Sequence, residues 1–111
     1  MAGKTAPSPY EALKQSLGDD PWYIAGDVGD VQVKTFFDKQ DRRVASYSSI
    51  ISLGYTLISI IKNTAKAASD ILRQGTDRLK MKESAKWLNA NKKLEACLRQ
   101  EVETIFKAFD K

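Results

Sequence analysis

Between Val44 and Leu72 apolar side chains return with a 3.6-residue period, and no other feature of this 111-residue chain restricts its fold as much. Tyr47, Ile50, Ile51, Gly54, Leu57, Ile58, Ile61, Ala65, Ala68 and Leu72 fall on one stripe of a helix. Leu53, Ile60, Thr64, Ala67 and Ile71 form a second stripe beside the first. The apolar arc is then about half the circumference, wider than the roughly 100° that a surface helix needs. A helix of this kind has to be covered on two sides.

The residues just after the stripe set the topology. Gln74-Gly75-Thr76-Asp77 supplies a glycine suited to closing one helix and then capping residues for the next. The last helix, about 77 to 109, places Trp87, Leu94, Leu98, Val102, Ile105 and Phe109 on one stripe, with Arg78, Lys82, Lys86 and Lys93 roughly opposite. Helices over about 44–74 and 77–109 therefore form an antiparallel hairpin. The hydrophobic spacing drifts with a 3.6 period instead of holding heptads, which favours a compact bundle over a long coiled coil.

The N-terminal part is shorter in its signals. Residues 1–7 read as a flexible arm, small and polar. Ser8-Pro9-Tyr10-Glu11 has a capping hydroxyl, a proline at the first helical position and a glutamate three residues after the cap, so a helix is expected over 8–17 with Gly18 closing it. Asp19 to Gly29 is rich in turn formers and reads as a loop carrying the bulky Trp22, Tyr23 and Ile24. Asp30 then serves as a cap for a helix over about 30–40, although Val31-Gln32-Val33 alternates well enough for a short strand. The expected architecture is all-α, a small bundle built on the hairpin with one or two short N-terminal helices, forming a single domain over 8–111.

Composition narrows the chemistry. Histidine is absent and Cys97 is the single cysteine, which removes Ser-His-Asp triads, Cys-His dyads and intrachain disulfides. The carboxylates Asp19, Asp20, Asp27 and Asp30 lie in turn-forming sequence, where aspartate commonly caps helices, and they lack the graded spacing of a Ca²⁺ loop. Gly26-Asp27-Val28-Gly29 has neither the Lys-Ser/Thr continuation of a phosphate loop nor a hydrophobic strand before it. Cys97 has no base at hand and reads as a small half-buried hydrophobe. Neither an enzyme nor a cofactor or metal site is expected. Met1 to Lys14 is polar and Pro-rich with no signal-peptide core, which points to a cytoplasmic address.

Binding is what remains. The hairpin cannot by itself cover its first helix, so either the N-terminal helices or a second copy must do so, and a self-associating assembly or adaptor protein is the leading expectation. Tyr47, Ile50, Leu53, Leu57, Ile60 and Ile61 are the candidate self-association face, and Trp22 and Tyr23 are candidate loop anchors for a protein partner. From Lys62 to Lys93 nine Lys or Arg stand against Asp70, Asp77 and Glu83, a local excess of +6 in a chain of net +4. Lys62, Lys66 and Arg73 share one helical face, as do Arg78, Lys82, Lys86 and Lys93 on the next helix, so a nucleic-acid-binding regulator is the first alternative, with Asn89 and Asn91 as amides able to read bases. A second alternative is a single-pass membrane subunit, because 44–61 carries no charge and is flanked by Arg43 and Lys62.

Overall fold

The computed structural model describes residues 8–19, 26–42 and 46–109. They form four helices, α1 (Pro9–Leu17), α2 (Gly26–Arg42), α3 (Tyr47–Gln74) and α4 (Arg78–Phe109), with no strand among the described residues. The fold is all-α, and α3 and α4 pack along each other as the expected hairpin. At 1.5 Å per residue the 32 residues of α4 run about 48 Å. That matches the molecule's longest dimension of 49 Å, so the hairpin sets its length.

The helix ends are explained by their capping chemistry. Ser8 accepts the Glu11 amide at 3.3 Å, and Gly18 closes α1 with a φ of 61°, a conformation that an L side chain resists. Ser46 caps α3 in the same way through the Ser49 amide. At the reversal Gly75 is left-handed (φ 64°, ψ 26°) and its amide reaches the Ile71 carbonyl, while the Asp77 carboxylate accepts the amides of Leu79 and Lys80 at 2.9 and 3.3 Å.

Helix α2 departs from expectation. It starts at Gly26, so Gly26-Asp27-Val28-Gly29 forms its first turn instead of a loop, and Asp30 lies inside the helix instead of capping it. The short-strand alternative is also set aside. Val31 is 62% exposed and Val33 fully buried, a contrast that a helix produces between residues two apart and a strand does not. Glycine near a helix start costs about 1 kcal/mol of propensity. Burying Val33, Phe36 and Phe37 completely stabilises the helix by about 1.5–3 kcal/mol for each side chain, which is enough to carry it through.

One core gathers Tyr10 from α1, the three α2 residues, Ile50, Leu57, Ile58 and Ile61 from α3, and Leu94, Leu98, Val102 and Ile105 from α4. Gly54 is a point of close approach in this core. A Cβ there would lie 2.4 Å from Val102 Cγ2 and 3.1 Å from Phe36 Cε1, so glycine is what lets α2 and α4 meet on α3. Tyr10 ties α1 to α2 through a 2.5 Å bond from its hydroxyl to Asp30 Oδ1. The cladding stops short of the turn, and from Ser69 to Glu83 no residue is buried.

Asn91 is wholly buried, and both polar atoms of its amide lack a hydrogen-bond partner. Its helical register against α3, extended from Val102 opposite Gly54, puts it level with Ala65. It therefore cannot serve as the surface amide expected of it.

These contacts have two measurable consequences. Replacing Asn91 by Leu removes an unpaired amide worth about 1–3 kcal/mol of desolvation, so N91L should raise the urea midpoint. Burial, and then the bond to Asp30, push the Tyr10 phenol above its ordinary value of 10.0. Its contribution is present below pH 10 and is lost as the pH climbs past it, because the unfolded phenol ionises first. Tyr10→Phe should lower stability at pH 7 by about 1–3 kcal/mol and flatten the decline above about pH 10 in base titrations of unfolding.

Candidate functional site

The two ends of the hairpin differ in chemistry. At the open end Tyr47 begins α3, and its ring meets Phe106 at 6.1 Å and Phe109 at 4.9 Å between centroids. Phe106 is 45% and Phe109 56% exposed, so an aromatic cluster faces solvent here. Phe109 was expected on the core stripe. As the last residue of α4 it lies beyond Ile105, the final buried residue of that helix. Phe106 carries no stripe signal of its own, being one position past Ile105, and an aromatic displaced in this way from a core stripe is the sign that could have revealed it.

Beside this cluster the end of α2 leaves a cleft of about 730 Å³, with Gln40, Asp41, Ser46, Tyr47, Thr104 and Phe109 in its lining. Gln40 donates from Nε2 to Glu101 Oε2 at 2.5 Å, while its buried Oε1 has no partner. Partial loss of hydration, followed by the nearby carboxylates of Asp38 and Glu11, pushes the Asp41 carboxyl above its usual range. Sequence reasoning did not single out Gln40 or Asp41, because neither stands in a motif.

The other end is the tip, residues 69–83, with its Lys and Arg exposed. All seven candidate cations, Lys62, Lys66, Arg73, Arg78, Lys82, Lys86 and Lys93, are exposed, and among them only Arg73 has an ion pair with a described residue, Asp70. They do not make one continuous surface. Lys62, Lys66 and Arg73 continue at helical spacing the α3 flank that carries Tyr55. Lys82, Lys86 and Lys93 continue the α4 flank of Cys97 and Thr104, which leads to the α2 cleft. Antiparallel packing turns these two flanks to opposite sides of the hairpin, and Arg78 sits at the outer edge. Leu79, between Arg78 and Lys80, is the most exposed large apolar side chain described, at 76%.

The candidate self-association face is largely consumed within the chain. Ile50, Leu57 and Ile61 are buried by the molecule's own helices, and Leu53 and Ile60 pack half-buried against the core, which leaves only Tyr47 at an accessible edge. The N-terminal helices, not a second copy, cover that stripe, because Phe36 can reach Gly54 directly. Cys97 is half-buried against the core, and burial, with Glu101 adding, pushes its thiol up. A smaller thiolate fraction at neutral pH is the consequence. Trp22 and Tyr23 lie outside the described residues. No helix among the described residues is long and apolar enough to cross a membrane, which corrects the reading of 44–61 as a span. Ser48, Ser49, Ser52, Thr56 and Ser59 form an exposed polar side there.

Compared with known proteins, the chain matches no family model, no curated protein and no solved structure. The geometry has to carry the functional reading.

It does set a limit on the nucleic-acid alternative. A duplex laid along either flank meets three or four cations, so the log–log salt dependence of binding should be no steeper than about −4, as read by fluorescence anisotropy. A slope beyond about −6 would require both flanks at once.

Proposed function

We propose that this chain is a non-enzymatic helical interaction protein that assembles with copies of itself, using the aromatic end of the hairpin as a contact surface. The observation that carries the reading is the exposure of Phe106 and Phe109 against the Tyr47 ring, beside a cleft. Clustered rings at a surface lose contact with water when a partner covers them, and aromatic anchors of this kind supply much of the energy of interfaces. Among the described residues, three of the five large apolar side chains most open to solvent, Tyr55, Phe106 and Phe109, are aromatic. Tyr55, 54% exposed, stands two turns along α3 from Tyr47.

The reading shifts the interface from the α3 stripe to the end of the bundle. The buried stripe is needed for folding, so polar replacements at Leu57 or Ile61 test stability and not assembly. Phe106 and Phe109 are exposed enough to be changed without that cost.

Light scattering coupled to size exclusion should give a mass above one chain that rises with concentration. The double variant Phe106→Asp, Phe109→Asp should run as one chain with an unchanged helical circular dichroism spectrum. A wild-type mass of one chain up to millimolar concentration, or a variant that keeps the wild-type mass, would overturn the proposal.

A further inference from the structure

The two halves of the hairpin are closed by unlike amounts of packing. Between Ala65 and Asn91 the buried apolar side chains are Ala68 and Ala90, each a single methyl group, with Ile71, Leu72, Met81, Trp87 and Leu88 half-buried. The inner part of the same two helices buries Ile50, Leu57, Ile58 and Ile61 against Leu94, Leu98, Val102 and Ile105, and α1 and α2 add Tyr10, Val33, Phe36 and Phe37. Hydrophobic stabilisation scales with the apolar area removed from water, so the outer half is held more weakly for its length.

Two polar features weaken it further. Asn91 is fully buried at the boundary between the halves with neither amide atom paired, so closing the seam there dehydrates a donor and an acceptor that water satisfies when it opens. Over the same stretch Lys66, Arg73, Arg78, Lys80, Lys82 and Lys86 stand against Asp70, Asp77 and Glu83, and Arg73–Asp70 is the only ion pair among its described residues. Arg78 and Lys80 also occupy the first turn of α4, which has no acidic residue, and cations there oppose the helix dipole.

We propose that residues 65–91 form a separate opening unit: the outer half of the hairpin unfolds and recloses as a loop while the inner half stays folded, and its own positive charge sets how often it opens. The inner core joins α3 to α4 on both sides of that loop, so the open form is tethered and recloses in the same register. Opening uncovers Ile71, Leu72 and Met81 and lets water reach the Asn91 amide. Repulsion between like charges is relieved by screening, so added salt closes the unit. The inference does not depend on self-association, because the aromatic end belongs to the inner half.

Amide hydrogen exchange of the full-length protein, read residue by residue by NMR, tests this. In the wild type the outer amides should be less protected than those around Leu57 and Leu98 by about 100-fold or more. Ile58→Val should speed the inner amides several-fold and leave the outer ones unchanged, because the outer half opens without breaking the inner core. Asn91→Leu should slow the outer amides about tenfold. Arg78→Glu combined with Lys80→Glu should slow the α3 amides of Ala67, Ala68 and Ile71, across the hairpin from the substitutions, and added sodium chloride should do the same. Equal protection in the two halves, or outer amides that follow the inner ones in Ile58→Val, would overturn the separate unit. Outer amides indifferent to Asn91→Leu would remove Asn91 from it. Those α3 amides staying unchanged in the charge variant, or in salt, would overturn the control by charge.

Discussion

The missing side chain at Gly54 is the constraint on which the other contacts depend. Because no Cβ stands there, Val102 of α4 and Phe36 of α2 reach α3 at the same level, and three helices meet at one point. That meeting sets the hairpin register, which puts Tyr47 against Phe109 at one end and Asn91 level with Ala65 further along. It also holds α2 where its last turns bring Gln40 to Glu101 and Asp41 to the edge of a cleft. Core packing leaves little slack for a methyl group at such a junction, so the register is held by volume and not by hydrogen bonds.

The same arrangement divides the hairpin by function. The half clad by α1 and α2 carries nearly all the buried apolar side chains and supplies the stability. The tip has no buried residue between Ser69 and Glu83 and is held by helix continuity, its caps and the partial burial of Ile71, Leu72 and Met81. A segment freed from packing duty can collect charge, and nine of the chain's cations lie from Lys62 to Lys93. Four of them stand in the tip against Asp70, Asp77 and Glu83, and the other five lie further along the two helices, away from the aromatic end that holds Tyr47, Phe106 and Phe109. The unpaired amide of Asn91, near where the cladding ends, is a cost the fold carries without a contact to offset it.

Much of this was legible from residue order because the signals are local. The stripes of α3 and α4, Gly75 and Asp77 at the reversal, and the Ser8 cap of α1 each act within a turn or two of the chain, where period and capping chemistry speak for themselves. The start of α2 was missed because Gly26 and Gly29 are poor helix formers, and only burial of Val33, Phe36 and Phe37 by other helices outweighs that preference. Asn91 reads as a surface amide in a basic stretch, and its burial depends on what packs over it. The cleft had no local signature, since Gln40 and Thr104 stand 64 positions apart and only the fold brings them together.

The sequence by itself determined the helical class, the hairpin and its caps, and the concentration of positive charge near the turn, because periodicity, φ preference and charge are properties of residues and their near neighbours. Only the tertiary structure decided which half of the hairpin is covered, that Ile50, Leu57 and Ile61 are spent on the chain's own core, and that the two cationic runs face apart. It also decided that Phe106 and Phe109 stand open to solvent. Those outcomes depend on which helix shields which face, and that is a competition for surface among segments distant in the chain.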